Sequence, residues 1–263
     1  MTILVESFLE LNRYRDLLRT WSIREIKIRY KQSLLGGGWA ILQPLSVALI
    51  FSIIFSLFVN ISTAGAPHLI FYYAALFPWT FFSNSVTTGS GSIIANMHLV
   101  TKIYFPREIM PLSGIFAALF DFIIAGLVYG LLAYFYRISV GASIILLPLL
   151  LVIQLLLTSG IVLILAALNV FYRDIRFVVP LGLQIYMYSV PLIYPVSAVP
   201  ESLRPFYMLN PMASIINAYR AILVYGGWPD FNYLLLAFVT STLIFLAGYG
   251  FFSKAARNFA DII

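Results

Sequence analysis

The chain has 263 residues, of which 62% are hydrophobic, 16% aromatic and only 10% charged, against roughly 25% charged in a soluble domain. With a mean hydropathy of +0.96, this composition excludes an ordinary water-soluble globule and a disordered chain, and makes lipid the solvent for most of the molecule. The sequence contains no cysteine, which removes disulfides, thiolate metal sites and cysteine nucleophiles, and its net charge of +6 has meaning only through where the basic residues fall.

Residues 1–38 read as a cytoplasmic amphipathic region. Leu4, Phe8, Leu11, Tyr14, Leu18 and Trp21 recur at three- and four-residue steps, with Glu6, Glu10, Arg13, Asp16 and Arg19 on other faces. That pattern fits a helix lying flat at the headgroup level, or one packed on a partner. Ile26, Ile28 and Tyr30 alternate like a strand, while Ile23, Ile26 and Tyr30 also fit a helical stripe. Helix is expected, because an unpaired strand beside a bilayer would expose its edge. Lys27, Arg29 and Lys31 are placed to meet anionic headgroups. Gly36-Gly37-Gly38 let the backbone turn before Trp39 anchors the entry to the first span. The first long apolar run begins only near Ala40, behind seven basic and four acidic residues, which is not the pattern of a cleavable signal peptide.

No Lys, Arg, Asp or Glu occurs between Lys31 and Lys102. One transmembrane helix needs about 20 apolar residues, so this interval holds two, joined by a turn at 60–67. The same test predicts spans near 40–60, 70–90, 111–135, 143–168, 177–195 and 232–252. The expected fold is an all-α integral membrane protein whose six-helix domain covers 39–263, with both termini on one side. On that side fall 13 of the 16 basic residues, and only Arg137, Arg204 and Arg220 lie on the other. By the positive-inside rule the termini are cytoplasmic. Topology thus accounts for the net charge, and a nucleic-acid partner is not expected.

The loops lack the residues of a self-contained catalyst. No glycine is followed by lysine, so the phosphate-cradling loop of a nucleotide hydrolase is missing. There is no His-Glu-x-x-His and no carboxylate cluster, and His68 and His98 fall on opposite sides of the membrane, so no metal site is expected. Asp121 is the one carboxylate deep inside a span. Without a basic or second acidic partner in another span it reads as a hydrogen-bonded packing residue ahead of a proton-coupling group.

Residues 92–108 read as a short amphipathic helix stopped ahead of Pro106, suited to a groove on a soluble partner or to the membrane interface. Between Tyr194 and Phe231 lie Pro195, Pro200, Pro205, Pro211 and Pro229 with Gly226-Gly227, so this stretch is not one straight helix. It is expected to form two short helices, at 200–209 and 212–223, lining a pore mouth. The alternative is an ordinary extracellular loop kept wet by Arg204, Asn210, Asn217 and Arg220.

Several of these segments together resemble the ABC-2 type permeases that export polysaccharides. The run Ile26-Lys27-Ile28-Arg29-Tyr30-Lys31-Gln32 with Leu35-Gly36, Trp39 and Gln43-Pro44 resembles that family's N-terminal signature. Asn96 through Leu99, Lys102, Phe105-Pro106-Arg107-Glu108 and Pro111 resemble its coupling-helix region, and Asn169 with Tyr172-Arg173-Asp174 its second cytoplasmic loop. Pro191-Leu192-Ile193-Tyr194-Pro195, Val199-Pro200, Asn210-Pro211 and Arg220 resemble the stretch before the last span. The likeness covers nearly the whole chain in order.

This resemblance implies a transport subunit of the bacterial inner membrane rather than an enzyme. Two copies would form the channel and each would recruit a separate ABC nucleotide-binding subunit, which holds ATP and Mg, with no cofactor on this chain. The implied cargo is a polysaccharide on a polyprenyl diphosphate lipid, such as lipopolysaccharide O antigen, with teichoic acid and capsule exporters as close relatives. Carried over by position, the helix near 4–21, Asn96, Leu99, Lys102, Phe105, Arg107, Glu108, Arg173 and Asp174 would meet the ATPase. Residues 196–227 would be re-entrant helices at the periplasmic mouth, with Pro200, Asn210, Pro211 and Arg220 as gate residues.

Aromatic faces let sugars slide without deep hydrogen-bonded wells, and Trp39, Phe51, Phe55, Tyr186, Tyr188 and Tyr194 are the channel candidates, although each also suits lipid contact or packing. Lys27, Arg29 and Lys31 would meet the diphosphate. Alternative readings are an ABC-2 exporter of a small drug or lipid, and an ion-coupled secondary transporter, which would need mid-membrane ion ligands and repeated halves. A membrane glycosyltransferase would need more loop carboxylates than Asp174.

Overall fold

The computed structural model describes residues 13–31, 33–59, 62–100, 102 and 105–259. The amphipathic pattern at 4–12, Gln32, residues 60 and 61 of the first turn, and residues 101, 103 and 104 of the loop at 92–108 lie outside the described residues. The helices are α1 (Arg15–Tyr30), α2 (Trp39–Ile54), α3 (His68–Ala95), α4 (Met97–Val100), α5 (Ile109–Phe135), α6 (Leu147–Phe171), α7 (Ile175–Tyr188), α8 (Arg204–Met208), α9 (Pro211–Leu223) and α10 (Phe231–Ala256). Short 3-10 turns at Gly36–Gly38, Ala142–Leu146 and Val196–Ala198 link them, and a π-type turn, Phe55–Val59, extends α2. No strand occurs among the described residues, so residues 23–30 are helical.

Helix α3 is the hub. Apolar and aromatic residues occupy all sides of it from Ile70 to Ala75, each of them fully buried, as expected of a helix enclosed by others rather than laid on a surface. Helices α2, α5, α6, α7 and α9 pack around it. Two amides on α6 tie the layers together. Gln154 donates from Nε2 to the carbonyl of Pro78 at 2.7 Å, and Asn169 donates from Nδ2 to the carbonyl of Ser90 at 2.9 Å. Such interhelical bonds contribute about 0.6–2 kcal/mol each where no water competes.

Helices α6 and α10 cross at glycines. A Cβ added to Gly160 would stand 2.6 Å from the carbonyl oxygen of Ile244, and one on Gly248 would press on the backbone of Gly160. Small residues at a crossing allow backbones to approach, and dispersion then holds the pair.

Four stretches are long and apolar enough to cross a membrane: Gly36–Phe58, Ile109–Phe135, Ala142–Phe171 and Phe231–Ala256. They coincide with four of the six expected spans. The expected span at 70–90 lies inside α3, which has 28 residues but mixes Thr80, Asn84, Ser85, Thr87, Thr88 and Ser90 among its apolar positions. The expected span at 177–195 is shorter than predicted, because α7 has 14 residues and gives way at Ser189 to a turn containing Pro191 and Pro195. At 1.5 Å per residue that helix is about 21 Å long, against a hydrocarbon core of about 30 Å.

The loop at 92–108 also differs from expectation. Ser92 to Ala95 finish α3, and only Met97–Val100 forms a separate helical turn. Asn169, grouped with a loop by the resemblance, is helical and buried in α6. Outward faces of the bundle carry Ile53, Leu127, Leu131, Phe177, Leu181 and Leu235, each more than half exposed, as lipid contact requires.

Gly160→Leu is expected to force α6 and α10 apart at a cost of about 1–3 kcal/mol. The check is a lower melting temperature and less monodisperse protein in detergent than for Gly182→Leu, where an added Cβ meets open space.

Candidate functional site

At one end of the bundle α1, the 96–107 segment and the end of α10 are joined. Trp21 stacks on Phe105 with ring centroids 6.3 Å apart. Arg24 donates to the side-chain oxygen of Asn96 at 3.1 Å, and Asn96 donates to the carbonyl of Ser92 at 2.9 Å. Arg107 donates to the carbonyl of Ala256 and lies over the ring of Phe259. Phe259 also packs on Phe252 and Phe171, which places the Tyr172–Asp174 turn at this end.

Of the residues assigned to an ATPase contact, Asn96, Phe105 and Glu108 are buried, Leu99 and Arg107 half-buried, and Lys102, Arg173 and Asp174 exposed. Asn96, Phe105 and Arg107 make the contacts of the internal joint. Lys102, Arg173 and Asp174 are open to another protein. Sequence pattern grouped all eight because it carries no information on which side of the loop faces inward.

The described part of α1 does not lie apart from the bundle. Trp21 meets Phe105 just before α5, and eight residues later Arg29 reaches Asp121, twelve residues into α5. Helix α1 thus runs along α5, and its last turn supplies the partner that Asp121 lacks among the spans. Arg29 forms an ion pair with Asp121 and donates from Nη2 to the hydroxyl of Thr88 at 3.3 Å, while the Tyr30 hydroxyl donates to the other oxygen of Asp121. Burial first, then the hydrogen bond to Asp121 and its negative charge, raise the Tyr30 phenol above its usual range, so it remains a donor.

The expected trio of headgroup cations is split accordingly. Lys27 and Lys31 are exposed, whereas Arg29 is engaged inward. Arg29 and Asp121 border a cleft of about 330 Å³ whose other walls include Trp39, Gln43, Thr80, Phe81, Asn84, Thr87 and Phe122. Sequence reasoning named Gln43 only within the N-terminal signature and missed Thr80 and Asn84. The signal was present, since 80, 84, 87 and 88 fall on one helical face.

At the opposite end Tyr186 and Tyr194 of the channel candidates meet Asn210 and Arg220 of the gate candidates in one network. Tyr186 of α7 packs on Trp79 and Phe82 and donates to Asn210 Oδ1 at 2.6 Å. The same oxygen caps α9 by accepting from Met212 N at 3.1 Å, with Pro211 at the first helical position. Tyr194 donates or accepts at 3.2 Å with Tyr207. Tyr188 and Pro200 are exposed. Phe51 and Phe55 instead pack on Tyr72, at 5.9 and 5.8 Å, and Trp39 stands apart at the cleft, half exposed.

Arg220 is not a wet loop residue. It is 2% exposed, lies 3.8 Å from the ring centre of Phe71, and donates to the carbonyls of Phe71, Pro191, Leu192 and Tyr194. Among the described residues no carboxylate pairs with it. Carbonyl dipoles and a π face compensate the charge, and the guanidinium fixes the non-helical turn after α7 against α3 and α9.

These helices define a polytopic membrane protein with a joint at one end and a pinned turn at the other. Residues 16–224 match the family model described as ABC-2 type transporter, and the chain belongs to this membrane family. It is 30% identical over 249 residues to the O-antigen export system permease protein RfbA of Klebsiella pneumoniae, covering 94% of this chain and 95% of that one. Identity to the RfbA of Myxococcus xanthus is 32% over 256 residues, or 97% and 98% of the two chains. The polysialic acid transport protein KpsM of Escherichia coli is 26% identical over 238 residues, covering 86% and 90%.

Two outcomes test this geometry. Arg29→Ala is expected to lower unfolding stability by about 3 kcal/mol, since it leaves Asp121 half-paired, and Asp121→Asn added to it is expected to recover part of the loss. Denaturant titration of the single and double variants reads this. Arg220→Met is expected to loosen the turn at 190–195 and increase its protease sensitivity, while Arg220→Lys, which keeps one charge but loses the fork, recovers little.

Proposed function

We propose that the chain is the permease subunit of an ATP-driven exporter that moves lipid-linked polysaccharide, O antigen or a similar polymer, out of the cytoplasm. The observation that carries this reading is full-length similarity at 30–32% identity to proteins named O-antigen export permeases. The remaining parts of the reading are that two copies form the channel, each bound to an ABC ATPase subunit carrying ATP and Mg, in the bacterial inner membrane. Helix α3, together with α7 continued by the turn at 189–195, would complete six crossings. The bias of basic residues supports cytoplasmic termini, with the end bearing Lys102 and Arg173 on the cytoplasmic side. Helices α8 and α9 would then dip into the periplasmic face as re-entrant elements, with Asn210, Pro211 and Arg220 shaping the mouth.

The joint at the cytoplasmic end supports a mechanism for using a partner's energy. A push on the 96–107 segment is shared by α1 through Trp21–Phe105 and Arg24–Asn96, and by α10 through Arg107. Helix α1 carries it on to the middle of α5 through Arg29 and Asp121. Rigid helices linked at such contacts tilt together rather than bend. Tyr186, Tyr188 and Tyr194 remain channel candidates on α7 and its turn. Phe51 and Phe55 serve core packing first.

Deleting the chain from its host should abolish surface polysaccharide and leave lipid-linked polymer at the cytoplasmic face; unchanged surface polymer would favour a small drug or lipid as cargo. Arg173→Glu is expected to reduce ATPase co-purification at least tenfold at an unchanged amount in the membrane. Arg107→Glu should instead lower that amount as well, because Arg107 holds the end of α10.

A further inference from the structure

The cleft between α2, α3, α5 and the end of α1 is bordered by the Arg29–Asp121 pair of the mechanism above, but its other polar groups have no part in that mechanism. Its floor is a polar stripe, Thr80, Asn84, Thr87 and Thr88, on one face of α3. Trp39, at the start of the first apolar stretch, borders the same cleft, so Asn84 stands near the entry to that stretch. Polar side chains there face protein, water or a polar ligand rather than lipid tails. The protomer leaves this face open, with Thr87 and Gln43 exposed and Thr80 and Asn84 half-buried.

Its polar groups divide into two sets. Arg29, Asp121, Tyr30 and the Thr88 hydroxyl satisfy one another, and Thr87 donates to the carbonyl of Ser83 at 2.8 Å. By contrast, the side-chain amides of Gln43 and Asn84 and the hydroxyl of Thr80 have no hydrogen-bond partner among the described residues. Two amides and a hydroxyl present both donors and acceptors. Among the described lining residues the two charges, Arg29 and Asp121, pair with each other, so nothing there selects an anion. Trp39, half exposed at the rim, offers an aromatic face. A volume of about 330 Å³ is at the small end for ligand sites, the size for a ring or two rather than a coil.

We infer that this cleft is a binding site for one or two neutral sugar residues of the cargo, with Asn84, Gln43 and Thr80 hydrogen-bonding ring hydroxyls and Trp39 stacking on a ring face. The inference rests on the reading of the cargo as a polysaccharide. It assigns the diphosphate no place in this cleft and puts a stepping point for polymer on α3.

The experiment uses the full chain with its ATPase in cells that make the polymer. p-Benzoylphenylalanine replaces Asn84, or Gln43 at the rim should the first variant fail to accumulate, and Leu127, which is 67% exposed on the outer face of α5, is the control. After illumination, adducts are stained by periodate oxidation and hydrazide, which reads vicinal diols in any sugar. The expected result is at least tenfold more glycan-bearing adduct at the cleft than at 127. Lipid adducts alone at the cleft, or a lipid diphosphate without glycan, would overturn the inference. Asn84→Leu is expected to lower surface polymer at least fivefold with ATPase co-purification retained, and Asn84→Gln to restore part of it; unchanged export in Asn84→Leu also overturns the inference. If deletion of the chain abolishes surface polymer while the cleft captures no glycan, the exporter reading stands and only the cleft assignment falls. Should deletion leave surface polymer intact, the exporter reading itself fails.

Discussion

Lipid supplies no hydrogen-bond partners, so the polar ties inside this bundle are made within the protein. That requirement explains why so few side chains hold so much of the architecture. Gln154 and Asn169 bond carbonyls of α3, Asp121 draws in Arg29 and Tyr30, and Arg220 gathers four carbonyls. Each tie also fixes a register between helices that apolar packing alone would leave free to slide. Helices α6 and α10 are held in another way, at glycines that let their backbones touch.

The ties also join elements at the two ends of the bundle. The joint at one end holds Trp21 and Arg24 of α1, Phe105, Arg107 and the end of α10 together, while the turn after α7 is held against α3 and α9. Helix α1 spans the distance between that joint and the middle of α5.

Much of this was legible in the sequence. Four apolar stretches and the short helices before the last span follow from hydropathy and proline placement. Helix α7 stops short of the end of the expected 177–195 span although Val190-Pro191-Leu192-Ile193 is apolar enough to continue it, and hydropathy does not register that Arg220, 26 to 29 residues away, holds the carbonyls of Pro191, Leu192 and Tyr194 in a turn. Arg29 and Asp121 were read separately because they lie 92 residues apart. Single-chain periodicity relates near neighbours only. The stripe on α3 was masked by the aromatic residues around it, and residues at 96–108 were grouped by motif although burial divides them between an inner and an outer set.

The clasp on the turn after α7 is built from a guanidinium and backbone carbonyls. None of these groups gains or loses a proton across the range in which carboxylates and histidines titrate. A clasp made with an acidic partner would slacken whenever the surroundings acidify. This one has no such dependence, so the turn it closes keeps its shape when the surroundings acidify.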